Sequence, residues 1–222
     1  MMRIVLVHGA ATTGAVWDPV LALLDDLEVS APDRPCSGNL ETELAWLESH
    51  ASGALVAGMS GGATLALGLA SRVTAAAAII AHEPAVGSLL PELLAEPGKA
   101  LAEGGVAAFG RTLYGDLWHP AMARDGGVVP SDFAVPSGFS VRADVAMFRA
   151  FEPAAPHEEA PVTLVTTGEL SPPLRHDAAA RLNGVYGYWT ATLPGARHFV
   201  AQESPATFAA LVRDVAAGLS DS

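Results

Sequence analysis

The sequence predicts an α/β protein: a mostly parallel central sheet of about six strands, flanked by helices, with a helical insertion. Three observations predict it. Short apolar, often β-branched runs alternate with segments whose apolar residues recur at helical spacing. Half of the 222 residues are hydrophobic and only 16% are charged, as buried parallel strands require. The pentapeptide Gly58-Met59-Ser60-Gly61-Gly62 sits between an apolar run, Ala54 to Ala57, and a stretch of helical composition, Ala63 to Ala70.

In chain order, Ile4 to Val7 reads as a core strand ending at His8-Gly9, and Thr12 to Ala15 as a loop. Trp17, Val20, Leu21, Leu23 and Leu24 repeat at helical spacing, with Asp18-Pro19 as cap and first-turn proline. Glu28 to Ala31 is a brief strand, followed by the loop Pro32 to Gly38. Leu40, Leu44 and Leu47 mark an amphipathic helix, with Glu41, Glu43 and Glu48 as its solvated face. After the strand at Ala54 and its helix, Ala76 to Ala81 is the next strand, ending at His82-Glu83-Pro84.

From Pro84 to about Pro161 the pattern changes. Leu89-Leu90, Leu93-Leu94, Val106, Phe109, Leu113 and Tyr114 suggest short helices broken by Pro91, Pro97 and Gly104-Gly105. Asp125-Gly126-Gly127 and Val128-Val129-Pro130 read as turns, and Val141 to Phe151 as a helix. Residues 84–160 are therefore expected to form an inserted helical lid on a core of residues 1–83 and 161–222, one structural domain in all. The sheet resumes at Val162 to Thr166, helical character returns between Arg175 and Leu182, and Tyr188 to Leu193 is the last strand. The closing helix, Pro205 to Leu219, carries Phe208, Leu211, Val212 and Val215 as its core stripe.

Composition narrows the function. A net charge of −12 argues against nucleic acid and gives no help at an anionic membrane surface. The single cysteine, Cys36, allows no intrachain disulfide and reads as packing or loop filling. No apolar run is long enough to span a bilayer, and Arg3 to Val7 is too short for a signal-peptide core. The expectation is a soluble cytoplasmic protein, monomer or homodimer, with a small-molecule substrate, no cofactor and no metal. The histidines and acids show no ligand spacing such as His-Glu-x-x-His.

Alternating strands and helices imply parallel pairing, and ligands of such sheets bind beyond the carboxyl ends of the strands. His8-Gly9, Ser60 and Glu83 all fall at such ends. Gly-x-Ser-x-Gly on a strand-to-helix turn has a chemical reason: the turn is so sharp that the residues two before and two after the serine must be small. The hydroxyl then stands clear of the sheet, with a helix N-terminus beside any developing negative charge. The same pentapeptide also serves as a plain glycine-rich turn that starts a helix.

On Val7-His8-Gly9-Ala10, Gly58 to Gly62 and Gly195 to His198, the chain resembles the α/β-hydrolases of the compact serine-hydrolase type, esterase- or methylesterase-like. The stretch from Val7 to Trp17 also resembles the oxyanion loop of plant methylesterases and hydroxynitrile lyases. The resemblance implies Ser60 as nucleophile, His198 as general base, and the backbone N–H groups of Ala10 and Gly61 as the oxyanion hole. Of the seven histidines, His50, His119, His157 and His176 read as surface residues. His8, Met59, His82 and Phe199 are candidates for the substrate pocket.

The acid departs from the family pattern. Where many members carry Gly-x-x-Asp-Pro, this chain has Gly168-Glu169-Leu170-Ser171-Pro172, so Ser171 stands in place of the aspartate. Some relatives carry the acid one strand earlier, where Glu83 lies. Glu83 is the first choice, Glu169 the second, and a Ser60–His198 dyad the third.

The implied activity is cleavage of a carboxylic ester, lactone or thioester of a small to medium apolar substrate through an acyl-enzyme. Phe109, Phe133, Phe139, Met147 and Phe148 of the lid suit an apolar group. The alternatives are a lyase or thioesterase using the same pocket, and a non-hydrolytic small-molecule-binding protein. A lyase of the hydroxynitrile type wants a lysine near the pocket, and Lys99 is the only lysine.

Overall fold

A computed structural model of the chain describes residues 2–123 and 139–220. The turns expected at Asp125–Gly127 and Val128–Pro130, together with Phe133 and the side chain of Phe139, lie outside the described residues.

Six strands form one sheet: β1 (Arg3–Val7), β2 (Glu28–Ser30), β3 (Ala54–Met59), β4 (Ala78–His82), β5 (Thr163–Gly168) and β6 (Trp189–Leu193). Their order is β2-β1-β3-β4-β5-β6, and every pair is parallel. All carboxyl ends therefore lie along one edge. The order reverses direction between β1 and β3, where a crevice opens in sheets of this kind. Central strands β3 and β4 are buried at every residue, which explains why their sequences are continuous apolar runs rather than alternating ones.

The helices are α1 (Asp18–Leu21), α2 (Leu40–Ala51), α3 (Gly61–Ala70), α4 (Ala95–Tyr114), α5 (Phe139–Arg149), α6 (Pro173–Tyr186), α7 (Val200–Glu203) and α8 (Pro205–Ser220). Helix α3 packs on β3 and β4 with α2 behind it, while α1, α7 and α8 pack together. The first predicted helix is cut short. A 3₁₀ turn over Gly14–Trp17 leads into a single α turn, and Leu23 is exposed although Trp17, Val20 and Leu24 are buried.

Helix α2 brings a sharper correction. Glu43, expected on the solvated face with Glu41 and Glu48, is fully buried. It lies three residues after Leu40 and four before Leu47, so helical geometry puts it on their face. Its burial is offset by an ion pair with Arg34.

Between β4 and β5 the chain forms 3₁₀ turns and the helices α4 and α5. Pro97 does not break α4 as expected, because it sits in the first turn, where a backbone N–H has no intrahelical partner to lose. The break falls at Gly105, whose φ of 69° leaves the helical region. Tyr114, at the end of α4, and Phe148 of α5 are buried against the carboxyl edge of the sheet. No helix among the described residues is long and apolar enough to cross a membrane.

Candidate active site

Ser60 lies between β3 and α3 with φ 54° and ψ −122°, a conformation that L-residues rarely adopt. Its neighbours explain how the turn is accommodated. A Cβ on Gly62 would stand 2.1 Å from the Val7 carbonyl oxygen, and one on Gly58 2.4 Å from the Gly62 carbonyl carbon. The first turn of α3 thus presses on the end of β1 with no room for a side chain. The Ser60 N–H donates to the His82 carbonyl at 2.9 Å, tying the turn to β4.

Glu83, directly after β4, also has a left-handed backbone, φ 50°. Its N–H donates to the Thr166 carbonyl of β5 at 2.9 Å. Carboxylate Oε1 accepts from the Gly168 N–H at 2.8 Å and from the Ser171 hydroxyl. Oε2 lies 2.9 Å from Nδ1 of His198, and Nε2 of His198 lies 3.2 Å from Ser60 Oγ. Ser60, His198 and Glu83 therefore form one hydrogen-bonded chain across the carboxyl edge, contributed by the turns after β3, β6 and β4.

The proton positions follow from a fourth residue. Arg175, in the first turn of α6, brings Nη2 to 3.4 Å from His198 Nε2 and Nη1 to 3.2 Å from the Glu83 carbonyl. A guanidinium only donates, so Nε2 presents its lone pair and the ring proton sits on Nδ1, facing Glu83. Burial pushes the His198 pKa down to about 4, with the Arg175 charge as the next cause. Burial pushes the Glu83 carboxyl up, but the His198 hydrogen bond and the His82 and Arg175 charges outweigh it and hold it well below the usual carboxylate range. At neutral pH the chain is a serine hydroxyl, a neutral imidazole and a carboxylate.

The other candidates are placed as follows. Glu169 is exposed and accepts from the Gly195 N–H, while His198 Nδ1 is paired with Glu83. Ser171 supports Glu83 rather than replacing an acid. His82 is fully buried, held between the Thr166 hydroxyl and the Arg197 carbonyl, both at 3.0 Å. Met59 and Phe199 are core residues, Phe199 packing on Tyr114 at 4.6 Å between ring centroids. His8 accepts the Arg34 N–H at Nε2, 3.0 Å. Gly9 and Gly61 border the serine region closely: a Cβ on Gly9 would lie 2.9 Å from Ser60 Cβ, and one on Gly61 2.4 Å from the Phe148 ring.

A cavity of about 160 Å³ reaches His198 from outside, lined by Leu93, Pro97, Leu113, Leu174 and Arg175, with Glu92 and Glu96 beside them. None of His8, Met59, His82 or Phe199 lines it. Lys99 is exposed and faces Glu103 at 4.0 Å, on the surface of α4.

Sequence reasoning missed Arg175, Tyr114 and Arg34. Tyr114 stacks parallel to His198, 5.6 Å between centroids at 7°, and burial pushes its phenol pKa up to about 12. Arg34 is buried between Glu43 and Asp144 at 2.8 and 2.6 Å. A buried arginine must find carboxylates, but nothing local in the sequence names partners from other elements.

The sequence profile described as the alpha/beta hydrolase family matches residues 4–211, and the chain belongs to that family. It is similar in fold to a thermophilic esterase from Thermogutta terrifontis (TM-score 0.67, 18% identity, 99% of this chain and 90% of that one). It is likewise similar to the enol-lactonase from Burkholderia xenovorans (TM-score 0.68, 18% identity, 97% and 91%). A carboxylesterase of the thaumarchaeon Nitrososphaera gargenis aligns with TM-score 0.70 at 13% identity, over 99% and 91%. No curated protein matches the sequence. The chain is an α/β-hydrolase.

Proposed function

We propose that the protein is a serine hydrolase that cleaves a carboxylic ester, or a lactone or thioester, of a small to medium apolar substrate through an acyl-enzyme. The observation that carries this reading is the continuous Ser60–His198–Glu83 hydrogen-bonded chain, with the imidazole lone pair on the serine side. Ser60 Oγ attacks the ester carbonyl as His198 Nε2 takes its proton, and Glu83 stabilises the imidazolium that results. The tetrahedral oxyanion is held by the backbone N–H groups of Ala10 and Gly61; loss of one such donor typically costs about 3 kcal/mol of barrier. His198 then protonates the leaving alcohol, and water repeats the sequence on the acyl-enzyme.

In this reading the segment between β4 and β5 is a lid, and the apolar wall of Leu93, Pro97, Leu113 and Leu174 favours an uncharged acyl or alcohol chain. The enzyme acts without cofactor on a small molecule in the cytoplasm, as a monomer or homodimer. The test is intact-mass labelling by a fluorophosphonate alongside hydrolysis of short p-nitrophenyl esters. A single adduct that disappears in Ser60→Ala, together with ester turnover, is expected. A wild-type protein that neither labels nor turns over these esters would leave a small-molecule-binding role instead.

A further inference from the structure

Four consecutive carbonyls after β1 are gripped by side chains. The His8 carbonyl accepts from Arg34 Nε at 3.0 Å. The Gly9 carbonyl accepts from the Thr12 hydroxyl at 3.0 Å, from His8 Nδ1 at 2.9 Å and from Arg34 Nη2 at 3.4 Å. The His8 donor is unambiguous in sense, because its other nitrogen already accepts the Arg34 N–H. The Ala10 carbonyl accepts from the Tyr114 hydroxyl at 2.8 Å, and the Ala11 carbonyl from Trp118 Nε1 at 2.9 Å.

A trans peptide is planar, so holding a carbonyl on one side aims the next residue's N–H to the other. The grip on Gly9 thus orients the Ala10 N–H, and the grip on Ala10 orients the peptide that follows. Ala11 has φ 55°, a conformation an alanine does not hold by preference. External anchors therefore have a conformation to maintain.

Most of those anchors do not come from the sheet. Tyr114 ends α4 and Trp118 follows it; Arg34 is itself clamped by Asp144 of α5, with Glu43 of α2 on its other side. We infer that Arg34, Tyr114 and Trp118 are positioning residues for the oxyanion loop: Arg34, clamped by Asp144, holds the peptide that carries the Ala10 N–H, and Tyr114 and Trp118 hold the two peptides that follow it. The inference rests on the hydrolase reading, in which that N–H is an oxyanion donor. It gives the insertion a second task beside covering the pocket.

Tyr114 touches both the loop and the centre, since its ring stacks on His198 while its hydroxyl binds the Ala10 carbonyl and also interacts with Ser60, so Trp118 and Arg34 are tested beside it. The experiment compares the wild-type chain with Tyr114→Phe, Trp118→Phe and Arg34→Lys, with Lys99→Ala as a surface control. Read out are kcat and KM for p-nitrophenyl butyrate per fluorophosphonate-titrated site, affinity for an alkyl trifluoromethyl ketone, and Tm. The ketone adds to the serine and carries an oxyanion, so it senses the loop directly. Each of the three variants is expected to lower kcat at least about tenfold and weaken the ketone in proportion, with KM within about threefold.

A purely structural role would lower Tm and the fraction of titratable sites while kcat per site stayed constant; that result overturns the inference. So does a loss confined to Tyr114→Phe, which would assign the hydroxyl to the reacting atoms instead. Should Arg34→Lys not fold, the two aromatic variants decide. A wild type that hydrolyses esters alongside unchanged variants sinks this inference alone, whereas a wild type without turnover sinks the hydrolase reading first.

Discussion

The sheet edge and the β4–β5 insertion meet at one centre but hold it by different means. From the sheet come Ser60, Glu83 and His198, each at a strand exit. Two of them are locked by backbone hydrogen bonds to a neighbouring strand or its end. Ser60 and Glu83, both with strained backbones, are on the sheet side. Such conformations cost on the order of 1–3 kcal/mol each and persist only where surrounding structure over-determines them. The insertion contributes side chains instead: Tyr114 over His198, Phe148 over Gly61, and Asp144 on Arg34. A strand exit is fixed by the whole ladder, whereas a side-chain strut is fixed by its own packing.

The largest effect expected is on the sheet side. Glu83→Gln keeps the shape and the oxygen that accepts from Gly168, but its amide removes the charge behind His198 and favours the wrong tautomer. A fall of about 10⁴ in kcat is expected, by analogy with the corresponding substitution in serine proteases. A fall of less than tenfold would break the assignment of Glu83 and favour a dyad.

Two adjacent glycines set the regions against each other directly. In Gly62→Ala the new Cβ meets the Val7 carbonyl, which is sheet backbone; in Gly61→Ala it meets the Phe148 ring, which is an insertion side chain. Gly62→Ala should destabilise by more than about 2 kcal/mol in denaturant unfolding, and Gly61→Ala by less, because a ring can turn and a strand cannot. Phe148→Ala combined with Gly61→Ala should show positive coupling, while combined with Gly62→Ala it should not. Equal costs for the two glycines would remove the distinction.

A pH profile sharpens it further. In the proposed mechanism the neutral His198 ring is the working form, and its pKa is pushed down to about 4, first by burial and then by Arg175. Activity should hold as pH falls below the ordinary imidazole value near 6.5 and drop only as pH passes about 4. Arg175→Gln removes the second cause, so the acid limb should move up in pH. An unmoved limb would mean that burial alone sets it. The stability sign follows: the unfolded chain binds this proton first, so His198 costs stability as pH falls from about 6.5 to about 4.

The smallest effect belongs to neither region. Arg213 pairs with Asp26 on the exposed surface. Arg213→Ala should leave turnover and Tm unchanged within error, since exposed ion pairs are weak.

The strands and the turn at Ser60 were legible because their signals are local. Continuous apolar runs need no partner to be recognised, and Gly58, Ser60 and Gly62 are required by a turn whose crowding is internal to the segment and the strand beside it. His198 and Glu83 were proposed from the family resemblance, which places a histidine after the last strand and, in some relatives, an acid after the strand that follows the serine turn. Glu43 shows where such reading fails: charge suggested solvent, yet its place between Leu40 and Leu47 on the helix implied burial. Which cation would neutralise it was not written in that stretch, because Arg34 lies across a loop and Asp144 lies 110 residues away from Arg34.

Residue pattern and spacing alone thus specified the parallel α/β layout and the crowded turn at Ser60, since each depends on periodicity or on a short-range steric rule, whereas His198 was singled out by the family resemblance. The choice of Glu83 over Glu169 as the partner of His198, the support from Ser171, and the roles of Arg175, Tyr114 and Arg34 belong to the folded arrangement. They depend on which side chains meet across elements far apart in sequence, and distance and burial, not residue type, settle who pairs with whom.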